Sequence, residues 1–424
     1  MKHMHIKIGS ILLYLLPAAL VTGPFLSDSI VSILALSFLI ISIKKKIWNY
    51  YTSVFFKFFF IFYLYIVIRS IFAEDLFFSL KSSFFYIRFG VFSLAVWYLI
   101  DNNSQLIKKF TFWGILTLVL ISLDAYIQIV FGKNIIGLPV VEQKISGIFG
   151  SELVLGSYIT RMLPLYVAGI IYSLKSVDGI KYKLLILLTS CITLVFLSGE
   201  RSSFALMILY FISFVLFTKK WFKIKIISLI TSIVFIIFFA TQSERLQVRM
   251  IDNTLTQFGL ETIKEYQIAE IETRLHKELD FVIFSPSHTI HYLTAYKMFK
   301  DNVVFGQGVK MYRMLCNKEK YYINSKSCVT HPHNTYVQFL AETGLIGFTF
   351  IFLSFIYVVI LLIKNLPILK KKHPINDYRI CLLLCFLVTL WPITPNGNFF
   401  NNWLSIIYFL PVGFYLQDLK NSTN

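Results

Sequence analysis

The chain has 424 residues, 57% of them hydrophobic and 15% charged, with 43 Phe and a formal net charge of +18. Such a hydrophobic share excludes an ordinary water-soluble domain. The excess of lysine would suit a nucleic-acid partner if it were clustered on one face. It is instead divided among short segments between apolar runs, so no nucleic-acid partner is needed.

A helix needs about 17–25 apolar residues to cross a bilayer, and runs of that kind recur from end to end. They lie near residues 6–22, 27–43, 53–70, 80–100, 110–131, 152–174, 183–198, 203–218, 224–241, 336–363, 379–392 and 401–416. The fold class expected is therefore all-α integral membrane, with about twelve transmembrane helices and one large helical loop between the ninth and tenth. The first run, from Ile6 to Val21, lacks a small-residue cleavage exit and reads as an uncleaved span. Residues 1–241 then hold spans one to nine, 242–335 form a loop capping the site, and 336–424 hold the last three spans.

The positive charges alternate by side. With the N-terminus in the cytoplasm, the inner segments carry Lys44 to Lys46, Lys108 and Lys109, Lys175, Lys181 and Lys183, Lys219, Lys220, Lys223 and Lys225, and the basic run from Lys364 to Arg379. With both tails, these segments hold about half of the 40 Lys and Arg, and the short outer loops hold few. Both termini are expected inside. The loop around Gly132 to Gly150, the turn at Ser198 to Arg201 and the segment 242–335 then face outward. Helical character is expected over Leu260–Phe281 and Thr289–Phe299 in that segment.

Cys191, Cys381 and Cys385 fall in apolar runs, as ordinary buried cysteines do. Cys316 and Cys328 both lie in the outer segment, where an oxidising compartment permits a disulfide between them.

Charges inside a bilayer are costly and mark function or structural pairing. Arg88, Asp124 and Arg161 each lie roughly 8–10 residues inside the outer boundary of a span, a depth of about 12–15 Å. One reading is a polar cavity in which Asp124 pairs one arginine while the other meets an anion; the other is a structural ion pair, with Arg88 snorkelling. Gln128 shares a helix face with Asp124. Arg201, on the short outer turn Ser198-Gly199-Glu200-Arg201, has the planar fork that grips phosphate oxygens; pairing with Glu200 or with lipid headgroups is the alternative.

The longest polar segment ends in Cys328-Val-Thr-His331-Pro-His333-Asn334, where an apolar run resumes. Asn334 suits a helix N-cap, and a capped helix end also attracts anions. His331, across Pro332, is expected to orient the loop. Glu342 reads as a buried helix–helix hydrogen bond and Gly344 and Gly347 as close-packing positions. Asp252, Asp280 and Asp301 are too scattered to suggest a metal site.

The pattern His333-Asn334-x-x-x-Gln338-x-Leu340-x-Glu342-x-Gly344-x-x-Gly347 resembles the signature of the O-antigen ligase and O-antigen polymerase superfamily. Asp124-x-x-x-Gln128-x-x-x-Gly132, Ser146-Gly147-x-Phe149-Gly150, Gly199-Glu200-Arg201, Gly306-x-Gly308 and Pro395-x-Gly397-x-Phe399-Phe400 agree with it in order. The resemblance implies a GT-C-like membrane enzyme of the bacterial inner membrane that moves a glycan from a polyprenyl diphosphate to a sugar hydroxyl on the periplasmic side, with no cofactor or metal. It implies His333 as catalytic base or phosphate contact and Arg201 as the first phosphate arginine. Where the family often has a second arginine, this chain has His288 in Ser285-Pro-Ser-His288-Thr-Ile-His291; Arg313, Arg274 or His288 itself are the replacements open. The acceptor is lipid A–core for a ligase, slightly favoured, or a lipid-linked glycan for a polymerase, with protein O-glycosylation a third outcome. A lipid-linked glycan flippase or exporter is the non-enzyme alternative.

Overall fold

A computed structural model of the chain describes residues 2–173, 179–257, 283–366 and 375–423. No strand occurs among these residues; two isolated bridges, Lys133 with Pro139 and Val141 with Lys144, tie one loop. The apolar runs form helices because a segment in hydrocarbon must satisfy its own backbone polar groups. These are α1 (Lys2–Thr22), α2 (Pro24–Lys45), α3 (Val54–Ile71), α4 (Leu76–Phe84), α5 (Ile87–Asn102), α6 (Leu106–Phe131), α7 (Leu155–Ser173), α8 (Gly179–Leu197), α9 (Arg201–Phe217) and α10 (Phe222–Gln242). Residues 283–334 contribute α11 (Pro286–Asp301), and the chain continues as α12 (Thr335–Ile363), α13 (Asp377–Thr389) and α14 (Asn402–Thr423).

Among the described residues, seven stretches are long and apolar enough to cross a bilayer: Met4–Thr22, Pro24–Lys45, Val54–Ile71, Leu76–Asn102, Leu106–Phe131, Phe222–Gln242 and Thr335–Ile363. The chain is a multi-pass membrane protein. Their boundaries follow local chemistry. Pro24 opens α2, where its missing N–H costs nothing. Ser53, Asp75 and Asn376 cap α3, α4 and α13 by accepting from Phe56 N, Phe78 N and Arg379 N. Lys44 and Lys45 meet the negative end of α2.

The centre of the bundle is α5, buried from Phe89 through Ile100 between α2 and α14, and α7, buried from Tyr158 through Gly169 against α6, α8, α9 and α13. The periphery is apolar and exposed: Ile227, Ile230, Ile233, Val234, Ile237 and Phe238 of α10 point away from the protein. Contacts of this kind gain nothing from water and suit lipid tails.

Polar contacts gather at two ends. At one, Tyr50 Oη donates to Asp101 Oδ2 at 2.9 Å and Lys420 Nζ reaches the same oxygen at 2.7 Å. Lys219 N and Lys220 N donate to Asp377 at the same end, where Arg379 and Asp418 form an ion pair. The other end collects the loops that carry the motifs.

One predicted span differs in kind. The run 80–100 is two helices, α4 and α5, separated at Phe85 and Tyr86. Arg88 therefore sits in the first turn of α5 rather than deep in a continuous helix, and pairs with Asp28 of α2 at 2.7 Å. Of the helices expected in the outer segment, Thr289–Phe299 lies within α11. Leu260–Phe281 lies outside the described residues, as do Arg274, Asp280, Lys175 and part of the basic run before Arg379.

Candidate active site

The base of the site is a break in α12. Gly344 has φ 60° and ψ −165°, so the helix stops after Thr343 and restarts. The freed backbone groups are met by the segment after α11. Gln307 N donates to Ala341 O at 2.9 Å and Gly308 N to Glu342 O at 2.8 Å, while Leu345 N donates to Val303 O at 2.9 Å. A β-carbon on Gly344 would stand 2.3 Å from Val304 O, and one on Gly306 2.5 Å from Gly344 N. Glycine is required at both by positive φ and by this approach. The role expected for Gly344, close packing of straight helices, is thus corrected: it marks a backbone crossing. From α3, Arg69 donates to the Phe305 and Gly306 carbonyls and fastens the crossing.

Glu342 and Gln338 face this crossing. Glu342 accepts from Tyr312 N at 3.3 Å and from Gln338 Nε2 at 3.0 Å. Gln338 also donates to Asn398 Oδ1 and accepts from Phe399 N. Glu342 is a brace between α12 and the segment after α11.

The segment after α11 is further tied by a Cys316–Cys328 disulfide, with Cα atoms 5.2 Å apart. Tyr312 Oη donates to Ser327 O at 2.8 Å, and Lys318 pairs with Glu74 of the α3–α4 turn. The chain then passes into the histidine motif. Asn334 caps α12, accepting from Tyr336 N at 2.9 Å and Val337 N at 3.1 Å, and donates to Pro392 O. His333 precedes the cap with φ 56°, an uncommon conformation for a non-glycine residue. Asn396 N holds it by donating to His333 O at 2.8 Å.

Four imidazoles converge. The His333 ring lies 4.3 Å from that of His331, 5.2 Å from His291 and 5.6 Å from His288, centre to centre. His331 donates from Nε2 to Asn396 O at 3.2 Å, so its Nδ1 accepts from the Thr330 hydroxyl at 2.8 Å. Both its nitrogens are occupied. His288 Nδ1 meets Ser285 Oγ at 2.7 Å. The same oxygen accepts from His288 N. His291 donates to the Lys326 carbonyl and keeps a buried, unpartnered Nδ1.

Burial favours the neutral rings. It brings His288 and His291 down to about 4, with the charge of His333 as the next cause for both. Burial, then His333, brings His331 down to about 3. His333 is lowered by burial too. At neutral pH the cluster is uncharged and able to accept a proton.

The cations lie around it. Arg201 opens α9, and its charge is felt at His288. Glu200, the alternative partner expected for it, accepts from Gly156 N at 2.6 Å and Ser157 N at 3.0 Å, capping α7. Arg161, one turn further along α7, donates to Asn396 Oδ1 at 2.8 Å and to Ser157. Arg313 donates to Thr330 O at 3.2 Å beside His331. Its charge, with that of Arg88, reaches Lys310.

Asp124 is placed otherwise than expected. It pairs with neither arginine; it accepts from Asn134 Nδ2 at 3.2 Å and Ile135 N at 3.0 Å and shapes the Gly132–Gly150 loop. Gln128 completes that loop by accepting from Ser146 N and Gly147 N. The loop packs on the Gly199 turn through Ile145 N to Ser198 O, and Arg249 Nε donates to Gly199 O. Sequence reasoning assigns no role to His291, Asn396 or Arg69. The spacing of His288 and His291, one turn apart at the start of α11, is the available signal for His291. Asn396 and Arg69 act through main-chain and neutral contacts that no motif announces.

No curated protein matches the chain. Residues 184–352, from α8 to the broken helix, match the family described as O-antigen ligase. The match spans Arg201, His288, the four-histidine cluster and the Gly344 crossing, and it supports the resemblance of this chain to the O-antigen ligase and polymerase superfamily.

Proposed function

We propose that this protein transfers an O-antigen or similar glycan from undecaprenyl diphosphate to a sugar hydroxyl at the periplasmic face of the inner membrane. In this reading it has twelve spans, both termini are cytoplasmic and the motif-bearing end faces the periplasm. The observation that carries the proposal is the cluster of four imidazoles around His333, with Arg161 joined to the same loop through Asn396 and the charge of Arg201 reaching His288.

The acceptor oxygen attacks the anomeric carbon as the bond from that carbon to the phosphate oxygen breaks. The bonding pair leaves on the diphosphate, and the hydroxyl proton passes to His333. A neutral imidazole near pH 7 suits that task. Fixed guanidinium groups lower the energy of the departing anion, and such preorganised charge usually contributes more to the rate than any other single effect. Arg201 and Arg161 supply that charge. His288 stands in the place where the family often has its second arginine; with its ring proton on Nε2 it donates to a phosphate oxygen without an added proton. Arg313 extends the positive rim, whereas the charge of Arg88 is met by Asp28. His331 and Asn334 position the loop, and Asp124 acts through the loop it shapes. Displacement in one step inverts the anomeric carbon.

A ligase acting on lipid A–core is favoured slightly over a polymerase joining lipid-linked repeat units or a protein O-oligosaccharyltransferase. The flippase or exporter reading draws no support from the helix break, because the backbone groups it frees are met by backbone of residues 303–308. Purified protein in nanodiscs with lipid-linked donor and acceptor tests the proposal. Glycan should move to the acceptor with wild type and not with His333→Ala; equal transfer by both contradicts it.

A further inference from the structure

Arg161 is 3% exposed, yet its hydrogen-bond acceptors are neutral: the Ser157 hydroxyl and the Asn396 side-chain oxygen. Its Nε is buried without a partner. No ion pair to Arg161 occurs among the described residues. The charged or ionisable groups facing it are Glu200, from the α8–α9 turn, and Tyr408 of α14. Glu200 already accepts from two α7 amides and from Ser203 Oγ. A guanidinium so deeply buried without a bonded carboxylate is costly, and the cost is relieved when an anion arrives.

Asn396 joins this group to the histidines. Its side-chain oxygen accepts from Arg161, and its amide nitrogen donates to Thr335 Oγ1 at 3.3 Å and Tyr408 Oη at 3.2 Å. Its main chain bonds both His333 O and His331 Nε2. We infer that Asn396 is a positioning residue that fixes Arg161 beside the histidine loop while leaving its charge uncompensated for a phosphate anion. An amide is required at this place because it accepts a hydrogen bond as a carboxylate does, but cancels no charge. Aspartate has nearly the same shape and would neutralise Arg161 in the empty protein.

The inference rests on the proposed function for the identity of the anion, so binding is measured apart from transfer. Purified wild type, Asn396→Asp, Asn396→Ala and Arg161→Gln proteins in nanodiscs are titrated with undecaprenyl diphosphate alone. The Asp variant should lose about tenfold or more in affinity, as the Arg161→Gln variant does, while Asn396→Ala, which removes the tether but adds no charge, loses less. In transfer assays the Asp variant should raise the donor KM more than it lowers kcat. Wild-type affinity in Asn396→Asp overturns the inference, and so does an Ala variant weaker than the Asp variant. If wild type itself does not bind the lipid diphosphate, the proposed function fails with it; if wild type binds and Asn396→Asp binds equally well, this inference alone fails.

Discussion

At the scale of single residues, the site depends on groups whose two hydrogen-bonding ends are spent differently. His331 has both nitrogens engaged and serves to hold the loop; His333 beside it stays free to take a proton. His333→Ala should therefore abolish transfer while the protein still inserts, and a well-expressed variant with near-normal glycan would refute the role. Arg201→Ala should do the same through loss of anion binding, read as a fall of tenfold or more in affinity for undecaprenyl diphosphate. The motif announces His333 and Arg201 but not how the cluster is completed. His291 reaches it only because α11 folds back beside the histidine loop, a tertiary fact with no local pattern. Asp124 shows the opposite error: a carboxylate in an apolar run suggests an arginine partner, whereas a turn ten residues on claims it.

Protonation adds a pH dependence at the same scale. His288, His291 and His331 titrate in the folded protein near 4, 4 and 3, below the ordinary histidine value of about 6.5. The unfolded chain thus binds more protons between these limits. Their contribution to stability is complete above about pH 6.5 and is lost as the pH falls toward 4. Thermal unfolding in detergent should show a Tm that drops steadily from pH 7 to pH 4. Replacing His331 by Asn should flatten part of that slope; an unchanged slope would argue against the buried neutral cluster.

Among elements, the broken helix α12 sets the geometry. Its first half, capped by Asn334, presents the histidine loop, and its restart is locked by residues 303–308. Gly344→Ala forces a β-carbon into Val304 O and adds about 1–3 kcal/mol of backbone strain, because φ 60° with ψ −165° is essentially reserved for glycine. It should cut both folded yield and transfer. Asn334→Ala removes one cap and should cost about 1 kcal/mol, seen as a few degrees of Tm with transfer reduced. The placement of the helices is legible in the sequence because apolar runs and their capping residues are local. The interruptions at Phe85–Tyr86 and at Gly344 are not. The first lies inside an unbroken apolar run, and the second depends on a partner strand of backbone some forty residues earlier in the chain.

On the scale of the whole molecule, the proposed chemistry needs residues 242–335 outside the membrane and the lysine-rich segments within the cell. A cysteine placed at exposed Ser325 should react with an impermeant maleimide added to spheroplasts, whereas one placed at Lys45 should react only after lysis. Labelling in the reverse order would place the histidine cluster in the cytosol and end the proposed chemistry. The alternation of lysines alone carries this expectation, since charge placement orients a membrane chain whatever its loops contain.

Movement of a glycan from lipid carrier to acceptor at this end of the bundle is tested most directly in the cell. The gene is deleted, the strain is complemented with wild type or His333→Ala, and the lipopolysaccharide is separated on a gel. The deletion strain should show core without O-antigen if the protein is a ligase, or core with a single repeat unit if it is a polymerase. Wild type should restore the ladder and His333→Ala should not. An unchanged ladder after deletion, or full restoration by His333→Ala, would contradict the proposed transfer.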